Sequence, residues 1–445
     1  MQRPPSWTYW LLLPLLAGAL LRGYGLADQI LTGDELHSVN AALNFSVAEV
    51  LSTWTYFGAD YCVPLTALYR LLMDWGMSLS ELHFRAPVLA AGLLSLIAMP
   101  LAIAHRFGRP AAIVLAWLLA LSPMWVLYGR IIRSYVPMTV LAFAAAMSFE
   151  RWWRTRSRSA AVGYVGCASL AIYFHLGAAP FVLSPLVYAI LDLAVRRSWR
   201  ADLLPLAILS IGTLLSTSLL LFPARATIAE LVSIHGRGYF PEALVWWDVL
   251  RMQAGVSSPL LAGLLFAVMV RGVWVSYWRD RRFTFFLGTL AIGHIIGLAI
   301  LSPNHFQHLV VANRYMLPLL PFALALVALG LVAPWSASPS PRANRLQASA
   351  ICALLAVLFL LGPLTSARFR CTSFAHSRPA LLFISAGNSM PEENVPDFYF
   401  ELARTERSKD RVILEFPWLN LSAHAFDVYQ HIHRRGIRVG SLNRY

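Results

Sequence analysis

The chain has 445 residues, 58% of them hydrophobic and 13% charged, with a formal net charge of +14. Ordinary soluble domains carry about 25% charged residues, so a soluble enzyme, a disordered chain and a collagen are all excluded. The mean hydropathy is +0.60, and the apolar residues form long blocks separated by short arginine-rich breaks, the pattern of a polytopic membrane protein.

A spanning helix needs about 20 mostly apolar residues. The first block, residues 7–21, lacks a small-residue cleavage site before the charges that follow and reads as a retained helix. Asp28 and the stretch Gly33-Asp34-Glu35-Leu36-His37 come next, in a long first loop over residues 22–86. Further blocks cover residues 87–104, 111–127, 136–149, 160–176, 179–195, 203–222, 259–275, 283–301, 315–332 and 348–361. These predict an all-α polytopic membrane domain of about eleven transmembrane helices over residues 1–364. Residues 336–341 are a flexible linker. In the tail, residues 365–445, charges of both signs appear, with helical patterns at 397–404 and 425–435 and strand patterns at 411–416 and 437–439. That order predicts a small C-terminal α/β module.

Every second loop is short and dense in arginine, from Arg106 and Arg109 through Arg151, Arg154, Arg156 and Arg158 to Arg342 and Arg345. The positive-inside rule places those loops and the N-terminus in the cytoplasm, and the long loops and the tail outside. Because the arginines stand at block ends rather than on one basic face, the net charge reflects topology, and nucleic acid is not an expected partner.

Ionisable groups near membrane depth cost about 2.5–3.5 kcal/mol each, so a cluster of them needs a reason. The non-cytoplasmic edge gathers Asp34 and Glu35, the stretch from Tyr128 to Tyr135 with Arg130 and Arg133, Tyr173-Phe174-His175, and His305, His308, Arg314 and Tyr315. Arginines at an interface bind phosphate through forked, charge-assisted hydrogen bonds. A carboxylate in the same electropositive pocket stays ionised and can take a proton from a hydroxyl. Together these point to transfer of a group from a membrane-borne phosphate, with the arginines stabilising the leaving phosphate.

Plainer readings exist for each residue alone. Asp34 and Glu35 can be a solvated loop pair, Arg130 and Arg133 interface anchors, and His175 a cap or packing residue. His305 and His308 have the reach for a shared metal but lack a third ligand, so no metal site is assigned and a divalent cation stays a minor alternative. The four cysteines show no metal-binding spacing; Cys62 and Cys371 both fall outside the membrane, but spacing alone does not bring them within bridging distance. The rival class is a non-enzymatic flippase or transporter of lipid-linked sugars. A transporter calls for inverted repeats and broken midplane helices, and the sequence shows neither. A ligase acting on lipid pyrophosphate would also use basic loops, but would not need the Asp-Glu pair.

The order of these features resembles the GT-C glycosyltransferases of the protein O-mannosyltransferase and aminoarabinose-transferase superfamily. The matching motifs are Asp34-Glu35 after the first helix, Pro64-Leu-Thr-Ala-Leu-Tyr-Arg-Leu-Leu72, Glu81-Leu-His-Phe-Arg85-Ala-Pro87, Ser122-Pro123 with Tyr128 and Arg133-Ser-Tyr135, Tyr173-Phe-His175, and Arg314-Tyr315-Met-Leu-Pro318-Leu-Leu-Pro321. The resemblance covers most of residues 1–335. It implies a GT-C fold in a bacterial plasma membrane, a polyprenyl-phosphate-sugar donor, inversion at the sugar carbon, and a lipid, glycan or protein acceptor. Carried over, Asp34 is the base and Glu35 supports it or holds the acceptor. Arg133 and Tyr135 face the donor phosphate, with Arg130, Arg85 and Arg314 as further candidates, and His175, Tyr173 and Tyr315 as pocket residues. Two departures stand out: Cys62-Val63-Pro64-Leu65 replaces His-Pro-Pro-Leu, and Arg130-Ile131 replaces Gln-Glu, trading a carboxylate for a cation. The segment 426–444 resembles terminal domains appended to some bacterial members.

Overall fold

Backbone amides and carbonyls in hydrocarbon have no water to bond, so the apolar blocks satisfy them internally as helices. The structure, a computed structural model, describes residues 6–24, 26, 34–56, 59–196, 199–235, 239–256, 258–303, 306–334, 341–361, 413–415 and 437–439. Each of the eleven apolar blocks contains a helix, but not every one is long and apolar enough to cross a membrane. Among the described residues six pass that test: Glu81–Phe107, Leu176–Arg196, Asp202–Ser233, Pro259–Arg279, Arg281–Leu301 and Pro341–Leu360. A seventh is added if Leu309–Tyr315 and Leu317–Val332, bent by 44°, count as one span.

Local causes shorten three of the four blocks outside this set. The first block is a 3-10 turn, Ser6–Leu11, running into a 12-residue α-helix, Leu12–Gly23. The third stops at Leu121 because Pro123 has no N–H to continue the ladder, and Ser122 caps a new short helix, Pro123–Tyr128. The fifth, Arg158–Phe174, has 17 residues.

Large side chains exposed along the helices, such as Ile208, Leu215, Leu219, Ile292 and Ile300, form the faces that lipid would cover. The interior packs closely. Phe149 lies at the centre of an aromatic cluster with Trp152, Trp153, Tyr164 and Phe286. Gly272 and Gly330 let the Pro259–Arg279 and Leu320–Val332 helices meet backbone to backbone; a Cβ at either position would overlap a facing carbonyl oxygen.

The two ends of the bundle differ. At the arginine-dense end, Arg106 pairs with Glu150 and with Asp280 at 2.6 Å, clasping three helices together. At the opposite end the first loop folds as helices Asp34–Asn44, Val47–Ser52 and Val63–Asp74, with a two-residue antiparallel ladder pairing Thr55–Tyr56 with Ala59–Asp60. Ser46 and Glu49 form a reciprocal capping box on the second of these. In the tail, Ile413–Glu415 and Ile437–Val439 pair in parallel within the two predicted strands. The predicted tail helices at 397–404 and 425–435 lie outside the described residues.

Buried arginines close the helix ends near that opposite face. Arg22, fully buried, donates to the carbonyls of Gly18 at 3.0 Å, Leu119 at 3.3 Å and Ala120 at 3.4 Å. Leu119 is the carbonyl that Pro123 cannot serve. In return Arg130 donates to the carbonyls of Leu21 at 3.1 Å and Tyr24 at 2.7 Å, closing the first helix. Gly129 makes room for this exchange, since a Cβ there would sit 3.2 Å from the Arg22 Nε. Arg22→Met keeps the bulk and loses these donors, so it should destabilise the protein by about 1–3 kcal/mol, read as a lower unfolding midpoint in detergent. An unchanged midpoint would contradict the capping role.

Candidate active site

The turn over residues 129–134 leads from the short Pro123–Tyr128 helix into Tyr135–Thr155. It carries Arg130 and Arg133 in irregular backbone, so the two side chains diverge. Arg130 turns inward to the first helix, while Arg133 lines a cavity of about 790 Å³. Burial, then the neighbouring Arg85, pushes the Arg130 guanidinium down to about 10.

Glu35 holds this turn from behind. One carboxylate oxygen accepts the Ile132 amide at 3.0 Å, and the other accepts from Arg85 at 3.4 Å. Arg85 also lies 3.6 Å from Glu81. Among the described residues Glu35 is the only buried carboxylate. It therefore ties the helix that Asp34 opens to the turn that bears Arg133.

In the cavity itself, Arg133, Tyr135, His175, Arg314 and Tyr315 share one polar wall. The guanidinium centres of Arg133 and Arg314 lie 5.8 and 5.7 Å from the centre of the Tyr135 ring. Tyr135 thus serves both cations as an aromatic neighbour. The Arg314 Nε donates to the Tyr128 hydroxyl at 3.3 Å, and Tyr128 packs edge-on against Tyr135 at 5.1 Å. His175 lies 5.4 Å from Tyr135 and 5.3 Å from Tyr315, and its Nδ1 accepts the Gly177 amide at 3.1 Å, which leaves the proton of a neutral ring on Nε2.

The remaining walls divide by character. Leu183, Leu214, Leu221, Leu231, Val232 and Leu301 form an apolar flank, and several of these side chains are exposed on the bundle surface. Tyr61 and Cys62 stand on the first-loop side. The Tyr61 hydroxyl pairs with that of Thr53 at 2.6 Å, and burial pushes its pKa up to about 12, so it stays a neutral phenol. An anion between two guanidiniums, with an apolar tail along the flank, matches this division.

The other expected site residues fall elsewhere. Asp34 opens its helix next to Glu35, but its side chain lies outside what the structure describes. Arg85 and Arg130 sit behind the cavity wall rather than in it, and Tyr173 packs against Trp54 at 6.1 Å. Cys62 is buried with its Sγ 3.9 Å from the Phe174 carbonyl, whereas Cys371 and His305 lie outside the described residues. Among the described residues no three His, Cys, Asp or Glu side chains form a metal-binding group. His294 was not singled out from the sequence, although a histidine inside an apolar span is itself a signal; it bonds the backbone of the cavity-lining Tyr315.

The multi-pass membrane bundle is similar in fold to GT-C proteins. Two solved structures carry the likeness. Aminoarabinose transferase (ArnT) from Cupriavidus metallidurans, bound to undecaprenyl phosphate, superposes with a TM-score of 0.65 at 15% identity, covering 98% of this chain and 87% of that one. The oligosaccharyltransferase of Archaeoglobus fulgidus, tethered to an acceptor peptide, gives 0.51 at 14% identity, covering 97% of this chain and 64% of that one. Both are GT-C glycosyltransferases. No family model and no curated protein matches the sequence.

The Glu35–Arg85 pair yields a prediction. Glu35→Gln keeps an acceptor for the Ile132 amide but removes the charge facing Arg85. Breaking a buried pair should cost about 3–5 kcal/mol, read as a lower unfolding midpoint. Arg85→Met in the same chain should return much of that loss, whereas additive losses would contradict the pairing.

Proposed function

We propose that the chain is an integral-membrane glycosyltransferase that moves a sugar from a polyprenyl-phosphate carrier to an acceptor hydroxyl on the extracytoplasmic side. The observation that carries this reading is the placing of Arg133 and Arg314 around Tyr135 at the head of a cavity with an apolar flank. That is the shape and charge of a lipid phosphate. The neighbour bound to undecaprenyl phosphate supports the same ligand class.

In this mechanism the Asp34 carboxylate takes the proton of the acceptor hydroxyl. The acceptor oxygen attacks the sugar carbon on the face opposite the phosphate, and the bond from that carbon to the phosphate oxygen breaks, inverting the centre. The carrier leaves as a phosphate monoester with one more negative charge. Arg133 and Arg314 stabilise that growing charge, which the donor diester does not yet bear. Tyr135 holds both guanidiniums, and His175 and Tyr315 complete the polar wall. Glu35 positions the base-bearing helix against the arginine turn. Arg130 and Arg85 act through that turn, raising the local positive potential from behind the wall.

Mass spectrometry of the lipid that co-purifies with the protein names the donor. With that donor, Asp34→Asn should abolish transfer while keeping donor binding; transfer at the wild-type rate would refute the base. Arg133→Ala should weaken donor use by about 2–4 kcal/mol, and unchanged use would count against the phosphate contact.

A further inference from the structure

The bend beside the cavity takes the Tyr315 backbone carbonyl out of the helical ladder. Leu309–Tyr315 and Leu317–Val332 meet at 44°, and Pro318 stands just after the corner. Within a helix the Tyr315 carbonyl would accept from residue 319, or in a tighter turn from residue 318. Pro318 has no N–H, and the Leu319 amide bonds the Met316 carbonyl instead, at 3.0 Å. The carbonyl is met from another helix: His294, fully buried in Arg281–Leu301, reaches it with Nε2 at 2.7 Å. Since a carbonyl can only accept, Nε2 carries the proton. The edge of the imidazole is fixed against Phe181, with ring centres 5.6 Å apart.

Resting on the reading of the cavity as a phosphate site, we propose that His294 is a positioning residue that pins the bent helix so that Arg314 faces the donor phosphate. Its ring does not line the cavity. Its effect passes through one hydrogen bond to the residue that follows Arg314. With that bond gone, the corner can relax by extending the Leu309–Tyr315 helix, which rotates Arg314 away from Tyr135. Gly177 sets the opposite limit, because any side chain there would collide with the Tyr315 ring. The corner is thus held between a donor on one side and a close backbone on the other.

The test measures binding of undecaprenyl phosphate and of undecaprenol to the full chain in detergent. The wild type should prefer the phosphate. His294→Phe keeps the ring and loses the donor, so it should weaken undecaprenyl phosphate by about tenfold, the size of one buried hydrogen bond, and leave undecaprenol unchanged. His294→Gln restores an N–H and should bind within about threefold of wild type. In an Arg314→Ala background His294→Phe should cost nothing further, because its route is already cut. Equal weakening of both lipids, or a full second loss in the double variant, would overturn the proposal. Should His294→Phe fail to fold, His294→Gln decides alone, and a tenfold loss there counts against the pin. A wild type that does not prefer the phosphate would overturn the lipid-phosphate reading itself, and the pin with it. A wild type that does, with His294→Phe unaffected, would overturn the pin alone.

Discussion

A carbonyl or amide freed at membrane depth must find a partner inside the protein, and that constraint shapes every feature of the site. Pro123 and Pro318 each stand at a break between helices in this chain. Each break then draws a donor from a neighbouring helix: Arg22 serves Leu119 and Ala120 beside Pro123, and His294 serves Tyr315 beside Pro318. Arg130 does the same for the last turn of the first helix, and Arg271 for the carbonyls of Ala333 and Pro334. The donors cross between elements, so closing one helix end also fixes a second helix. Two of these crossings flank the cavity. The irregular turn that presents Arg133 and the helix corner that follows Arg314 are held from outside rather than by their own ladder.

Charge follows the same logic. Three arginines, Arg22, Arg85 and Arg130, are fully buried behind the cavity wall, and each is met by backbone carbonyls or by a carboxylate. Glu35 faces Arg85 and accepts the Ile132 amide, which suits the positioning role proposed for it. Arg133 and Arg314 differ from the buried three in facing open volume. Two cations beside one aromatic ring repel each other, and an anion entering between them relieves that repulsion. In the proposed transfer, a diester that becomes a monoester gains most at the moment its bond breaks.

The helical blocks were legible because apolar runs of this length leave the backbone one solution. Helix lengths were less legible: breaks at Ser122-Pro123 and in the first block shorten helices that composition alone reads as continuous. Arg133, Tyr135, His175 and Arg314 could be grouped from sequence because each stands at a helix end on the same side of the alternating loops. Arg130 could not be separated from Arg133, since in a non-helical turn three residues of spacing do not determine which way a side chain points. Arg22 and His294 stayed hidden for a related reason. Their partners are backbone carbonyls, which have no residue type and leave no trace in sequence. Glu35 was legible as the neighbour of Asp34, but its bond to an amide 97 residues away is a property of the fold.

The most direct test of the account is a structure of the full chain with undecaprenyl phosphate bound. The account predicts phosphate oxygens within hydrogen-bond distance of both the Arg133 and Arg314 guanidiniums, with the isoprenoid chain lying along Leu183, Leu214 and Leu231. A phosphate held away from both arginines, or a lipid that avoids this cavity, would contradict it.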